Sequence, residues 1–223
     1  MARPKNEKLK GRIRAAAWRL FATEGYEATS YTAIAEAVGI SRNLVQYHFP
    51  KKDQLAAELF DDVLSHTCQA LGLGDDDLRN DLEGVYAVGT VYFTYMESEG
   101  GFRLFLSDVL KSRALTRDVC AFNAPWILGH VADAQGTYEY DGDAKAVRTL
   151  VGHLGGFYEL LYYELERGGA LDAGEALSPV MKALATALGY PMAQVYALTP
   201  RNALADAPVQ GAVRKLQEAY ASI

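Results

Sequence analysis

Residues 30–55 read "SYTAIAEAVGISRNLVQYHFPKKDQL" and place two short helical patterns on either side of a glycine. Thr29 or Ser30 can cap the first helix, along which apolar residues recur at the spacing of one helix face. Gly39 ends that helix, and Ser41 can cap the second. Two short helices joined by a tight glycine-containing turn, here "VGIS", predict a helix-turn-helix.

The second of these helices, residues 41–48, is rich in side chains that donate or accept hydrogen bonds. A helix fits the major groove of B-DNA, and the first turns of the second helix in such a motif face the base edges. Lys52 is assigned to a phosphate, because its ammonium and the free N–H groups at the start of a fourth helix together form an anion site. The predicted DNA contacts are Ser30, Tyr31, Ser41, Arg42, Asn43, Leu44, Gln46, Tyr47, His48 and Lys52.

Charge is distributed unevenly along the 223 residues, whose net charge is −6. Residues 1–60 carry ten Lys and Arg against six Asp and Glu, whereas residues 61–223 carry twelve against twenty-two. A basic head on an acidic body indicates that only the head meets a polyanion. The basic residues at the very start either reach DNA or are merely solvated; they are Arg3, Lys5, Lys8 and Lys10.

The segment from residue 25 to residue 55 also matches a known pattern, at Gly25, Tyr26, Thr29, Ser30, Ile34, Ala35, Gly39, Ile40, Ser41, Tyr47, His48, Phe49, Lys52 and Leu55. In these positions it resembles the DNA-binding domain of the tetracycline-repressor (TetR-type) family of transcriptional regulators. One departure is Val45-Gln46, where the family usually has Leu-Tyr, so that an amide replaces an aromatic ring. The resemblance implies operator DNA as a partner and an all-α C-terminal domain that senses a small molecule and forms a dimer.

Helical periodicity continues through the rest of the chain and strand signals are almost absent, so an all-α fold is predicted. The predicted domains are a three-helix helix-turn-helix domain at 1–53 and a helical effector-binding and dimerisation domain at 68–223, with the fourth helix, 52–67, as connector. "GLGDDD" (72–77) is the clearest break. The stretch 189–208 is predicted to be irregular, before a last helix.

Two later helices, at about 143–166 and 173–188, are predicted to form the homodimer interface. The longer one is apolar on more than one side and therefore needs more than one partner. Gly152, Gly155 and Gly156 would let another backbone come close. Apolar residues on the shorter helix complete a two-fold four-helix seam, with an internal core as the alternative; they are Leu177, Val180, Met181, Leu184 and Leu188.

A set of large, mostly aromatic side chains in the C-terminal part indicates a pocket for a small, largely apolar or aromatic effector. Ordinary core packing is the alternative interpretation of the same pattern. The candidate lining residues are Tyr86, Tyr92, Phe93, Met96, Phe105, Phe122, Trp126 and Tyr158.

Taken together, the residues and the resemblance predict a ligand-responsive transcriptional regulator, interpreted as a repressor that binds an inverted-repeat operator as a homodimer. Two alternatives stay open: an activator of the same fold, and a helical dimer whose basic head binds a protein partner. The sequence has no GxSxG, phosphate-loop or HExxH motif, so we expect neither an enzyme nor a cofactor or metal.

The expected location is the cytoplasm. No apolar run approaches the roughly 18 residues that cross a bilayer, and the basic N-terminus leads into no apolar signal core. Cys68 and Cys120 lie far apart and are expected to be free thiols.

Overall fold

The computed structural model describes residues 4–78, 81–131, 144–199, 202–203 and 205–221. Every regular element in these ranges is a helix, so the predicted all-α fold is confirmed. The head comprises α1 (Pro4–Glu24), α2 (Tyr31–Val38) and α3 (Arg42–His48), and the connector is α4 (Lys52–Leu71). The body comprises α5 (Asp75–Leu78), α6 (Leu82–Glu97), α7 (Arg103–Lys111), α8 (Arg113–His130), α9 (Ala144–Glu166), α10 (Ala173–Ala187), α11 (Met192–Ala197) and α12 (Ala207–Tyr220).

The centre of the body is α6, which is buried along almost its whole length. A helix that is apolar on all sides must be covered on all sides. Accordingly α6 packs against α4, α10 and α12, while α9 packs against α7, α8 and α10. Both cysteines are free thiols, as predicted.

The connector α4 is longer than predicted, since it runs past residue 67 to Leu71. Gly72 ends it in the left-handed conformation, with φ at 71°, and the Leu73 N–H donates to the Cys68 carbonyl at 2.9 Å. The predicted break at 72–77 therefore marks the end of α4. It also holds the start of the one-turn helix α5, which the sequence did not indicate.

The prediction of an irregular stretch at 189–208 was wrong, because α11 lies within it. Pro191 precedes this helix and its carbonyl accepts the N–H of Gln194 at 2.9 Å, while buried Val195 anchors the helix to the core. The last helix, α12, begins at Ala207 and packs against α4 and α6 of its own subunit. A loop predicted at 136–142 lies outside the described residues.

Candidate nucleic-acid interface and effector cavity

The helix-turn-helix is built from caps that the sequence supplies locally. The Ser30 hydroxyl accepts the N–H of Ala33 at 3.1 Å, and the Ser41 hydroxyl accepts the N–H of Leu44 at 3.3 Å. Gly39 adopts a φ of 73°, a left-handed conformation that favours glycine at the end of α2. These three residues define where α2 ends and α3 begins, and both predicted serine contacts serve as N-caps here.

One face of α3 is buried and apolar, and the other is exposed and mostly polar. Val45 is fully buried and Phe49, just after the helix, is 1% exposed, so these two side chains hold α3 to the head. Arg42 and Asn43 are exposed in the first turn, and Tyr47 is 74% exposed. The ring of Tyr47 meets that of His48 edge to face, with centroids 5.3 Å apart. The remaining predicted contacts on this helix are half-buried: Leu44, Gln46 and His48.

Long side chains brace this motif from behind. Arg12 of α1 donates to the Val38 carbonyl at the end of α2 at 2.7 Å. The Tyr31 hydroxyl donates to the Phe49 carbonyl at 2.8 Å, which ties α2 to the end of α3. Burial raises the pKa of Tyr31, so this donor stays protonated. Tyr31 thus braces the motif, and its predicted DNA contact stays a prediction.

Lys52 has a structural role that the sequence did not reveal. Its Nζ donates to the carbonyls of Tyr26 at 2.6 Å and Thr29 at 2.9 Å, and it lies 4.0 Å from the centroid of the Tyr26 ring. Burial lowers the pKa of Lys52, an effect that the neighbouring Asp53 carboxylate opposes. Two of the three ammonium donors are engaged within the head. Its predicted phosphate contact therefore stays a prediction, and exposed Lys51 lies beside it.

The head meets the body at Phe105 of α7, a residue that the sequence assigned to the effector pocket. The ring of Phe105 stacks on Phe21 of α1 at 5.2 Å between centroids and lies 5.1 Å from Phe60 of α4. The Asp108 carboxylate accepts the N–H of Glu27 at 2.9 Å. Phe105 packs in the joint between head and body and does not line the effector cavity described next. Its predicted ligand contact stays a prediction.

A small apolar cavity of about 40 Å³ lies within the body, bounded by α4, α6, α8, α9 and α10. We call it the core cavity. Tyr92, Phe93 and Trp126 of the predicted set line it. The other lining residues were not predicted to face a ligand; they are Leu64, Val85, Val88, Gly89, Asn123, Ile127, Leu154, Leu177, Val180 and Met181.

Polar groups are few in this cavity. The Tyr92 hydroxyl is buried and has no hydrogen-bond partner among the described residues. Asn123 donates through Nδ2 to the hydroxyl of Tyr158 at 2.7 Å, so that Tyr158 lies behind the lining. Burial raises the pKa of both tyrosines, and both hydroxyls stay protonated. An unpaired buried hydroxyl costs about 1–3 kcal/mol, so a ligand that satisfied Tyr92 would bind with that advantage.

The other predicted pocket residues lie outside this lining. Tyr86 donates its hydroxyl to the Gly174 carbonyl at 2.5 Å and so ties α6 to the first turn of α10. Met96 is fully buried in the core. The side chain of Phe122 lies outside the described residues. Asn123, a lone amide between apolar neighbours in α8, was the one sequence signal that could have indicated the polar end of the cavity.

The proposed dimer helices differ from expectation in which side chains they expose. All five apolar residues assigned to the seam on the shorter helix, Leu177 to Leu188, are buried within the subunit, because α10 packs against α6 and α9. Their assignment to the dimer seam was wrong, and the internal-core alternative holds for them. On α9, however, Leu160 and Tyr163 are 44% and 51% exposed, and open space lies beyond Gly152 and Gly156.

Comparison with known proteins agrees with the architecture of the head. Residues 13–59, which span α2, α3 and parts of α1 and α4, match the family model described as bacterial regulatory proteins, tetR family. The head of the chain is therefore similar to the N-terminal domain of the TetR family. No curated protein matches the sequence.

One solved structure similar to this chain is that of a candidate transcriptional regulator from Streptomyces coelicolor A3(2). It shares 20% sequence identity, covers 82% of this chain and 99% of its own, and superposes with a TM-score of 0.47.

Two further features concern all the residues that the structure describes. Among the described residues, no helix combines the length and apolar character needed to cross a membrane. The same residues contain no group of three or more His, Cys, Asp or Glu side chains placed to hold a metal ion.

Proposed function

We propose that this protein is a regulator of the TetR family: a homodimeric repressor that binds an inverted-repeat operator and is released by a small, largely apolar effector. The observation that carries the proposal is the arrangement of α3. Arg42, Asn43 and Tyr47 project outward from a helix whose back is held by buried Val45 and Phe49. Such a rigid, polar helix suits base recognition in the major groove, where Arg pairs with guanine and Asn with adenine.

A dimer is supported by the exposed face of α9. Leu160 and Tyr163 place large apolar surface in solvent, and Gly152 and Gly156 leave room for a second backbone nearby. A two-fold pairing of this face would bury it and would present two copies of α3 to one side of the DNA. Such dimers bind half-sites about 10 bp apart, or a multiple of that distance.

The chemistry of the effector follows from the core cavity. Its described lining carries no charged side chain, and its polar side-chain groups are the Tyr92 hydroxyl, the Asn123 amide and the Trp126 indole N–H. A charged ligand would lose its hydration there without compensation. The proposal is therefore an uncharged, apolar effector with one polar group that hydrogen-bonds to Tyr92.

The size of the cavity suggests how the effector would act. Pockets for drug-sized ligands usually measure about 300–1,000 Å³, so a cavity of about 40 Å³ must expand to admit one. Leu64 of the connector forms one wall. Expansion would therefore displace α4, which leads to the head, and change the spacing of the two α3 helices in a dimer.

Such a switch requires a free-energy difference between two states. A tenfold loss of operator affinity corresponds to about 1.4 kcal/mol of coupling. By reciprocity, the operator must weaken effector binding by the same factor. An effector that binds both states equally would change nothing, however tightly it binds.

The experiment begins with a thermal-shift screen of small uncharged aromatic fragments to find a binder. Its affinity is then measured by calorimetry with and without operator DNA, on the wild type, on Trp126→Ala and on the exposed control Met192→Ala. We expect the operator to weaken fragment binding and Trp126→Ala to reduce it, with Met192→Ala unchanged. Identical fragment affinity with and without operator would refute the switch, and unchanged affinity in Trp126→Ala would place the effector elsewhere.

A further inference from the structure

A second and larger cavity, of about 290 Å³, lies between the first half of α4 and helices α7 and α8. We call it the joint cavity, because α4 enters the head at this point. It shares no lining residue with the core cavity. Nothing in the proposed effector switch uses it.

The lining of the joint cavity is divided between an apolar floor and a polar mouth. The floor residues are buried or half-buried, whereas Asp53, Gln54, Ala57 and Asp118 are exposed. The floor consists of Ala56, Phe60, Val109, Leu115 and Val119. A ligand with an apolar body and one polar end would fit this division.

The charged side chains at the mouth are all acidic. Asp53 lies on α4 and Asp118 on α8, and the lining includes no basic side chain. Asp118 makes no ion pair within the described part of the chain. Asp53 accepts the Tyr26 hydroxyl at 2.5 Å through one carboxylate oxygen, and the ammonium of neighbouring Lys52 is bonded to backbone carbonyls of the head.

We propose that the joint cavity binds an organic cation, with its apolar body on the floor and its ammonium between Asp53 and Asp118. Opposite charge and hydrogen bonds to ionised carboxylates favour this orientation. An anion of the same shape is repelled by both carboxylates, and a neutral analogue lacks the charge-assisted hydrogen bonds. Three chemically matched ligands therefore distinguish this site from a merely apolar crevice.

The test uses octylamine, octanol and octanoate on the full-length protein without DNA, each below its micelle-forming concentration and measured by calorimetry. We expect octylamine to bind about tenfold more tightly than octanol, because its ammonium adds a charge-assisted hydrogen bond, and octanoate to bind more weakly than octanol. Asp118→Asn should bring octylamine affinity close to that of octanol. Ala57→Phe, at the exposed mouth, should block all three ligands without disturbing the buried floor.

Two controls separate this site from the core cavity and from misfolding. Trp126→Ala, which alters the core cavity, should leave octylamine binding unchanged, and the thermal melts of the variants confirm folding. The proposal is overturned if octylamine does not bind, if it binds no more tightly than octanol, or if either Asp118→Asn or Ala57→Phe leaves its affinity unchanged. Because no DNA is present, each of these failures leaves the proposed repressor function untouched.

Discussion

Phe105 of the body stacks on Phe21 of the head, with 5.2 Å between ring centroids and 24° between ring planes. Phe60 of the connector lies against the same ring at 5.1 Å. The head is therefore linked to the body in two ways, covalently through α4 and by packing through α7. A movement of the body can reach the DNA-binding helices along either route.

Removing the Phe105 ring should destabilise the protein strongly. Phe105→Ala deletes a fully buried ring at the joint, and such substitutions cost about 3–5 kcal/mol through lost burial and a residual cavity. The adjacent Leu104 is 50% exposed, so Leu104→Ala should change stability by no more than about 0.5 kcal/mol. Urea unfolding of both variants makes the comparison. Similar losses for the two would show that the joint is not packed as described.

Lys52 and Lys51 provide a matched pair for separating structure from DNA contact. Lys52→Met leaves the carbonyls of Tyr26 and Thr29 without their partner and should cost about 1–3 kcal/mol. Lys51 is exposed, so Lys51→Met should be nearly neutral for folding. Chemical denaturation tests this before any DNA experiment. If the two variants are equally stable, the bonds from Lys52 contribute nothing to the head.

Glu97 is a buried carboxylate at the end of α6. It is 4% exposed, accepts the N–H of Leu171 at 2.9 Å, and lies near Arg103, which donates to the carbonyl of Gly169 at 2.5 Å. Burial raises the pKa of Glu97 from 4.5 to about 7, against the opposing effects of the Leu171 hydrogen bond and the Arg103 charge. The folded protein therefore holds this proton more tightly than the unfolded chain does.

This difference makes stability depend on pH. Since the folded pKa lies above the unfolded one, the contribution of Glu97 is most favourable below pH 4.5 and is lost as pH rises to about 7. Glu97→Gln keeps the acceptor for Leu171 and removes the titration. As pH rises through this range, the free energy of unfolding of Glu97→Gln should increase relative to that of the wild type by roughly 3 kcal/mol, at about 1.4 kcal/mol per pH unit. Parallel pH curves for Glu97→Gln, wild type and the exposed control Glu99→Gln would contradict the assignment.

The dimer face can be tested with two glycines that have open space around them. A Cβ added at Gly156 on α9 or at Gly129 on α8 meets no atom within 4 Å, so Gly156→Leu and Gly129→Leu should both fold. Gly156→Leu should weaken the dimer, because it fills the space that a second backbone would occupy. Gly129→Leu should leave dimerisation unchanged. Sedimentation equilibrium gives the dimer dissociation constants of both variants. A dissociation constant of Gly156→Leu equal to that of the wild type would show that the interface lies elsewhere.

The helix-turn-helix could be predicted because its signals are local. Ser30 and Ser41 cap the helices that follow them directly, and Gly39 supplies the left-handed turn between them. Each of these roles depends on neighbours within a few residues. A short stretch of sequence is therefore enough to predict where these two helices begin and end.

Features that depend on distant partners could not be predicted. The residues from Leu177 to Leu188 form an apolar helix face, but periodicity does not tell whether that face meets its own subunit or a second one. The carbonyls that bind Lys52 lie 23 and 26 residues earlier in the chain. The lining of both cavities results from the packing of several helices, so Phe105 was assigned to a pocket although it packs in the joint.

The central claim is that this protein reads an inverted repeat, and selection of binding sites from a random DNA library tests it most directly. We expect the wild type to select an inverted repeat with half-sites about 10 bp apart or a multiple of that distance. Arg42→Ala should lose about 1–3 kcal/mol of binding free energy and its base preference at one position per half-site. The logarithm of the binding constant should fall with the logarithm of salt concentration by about 0.9 per phosphate neutralised. Selection that yields no inverted repeat, or equal affinity for selected and random DNA, would contradict the account.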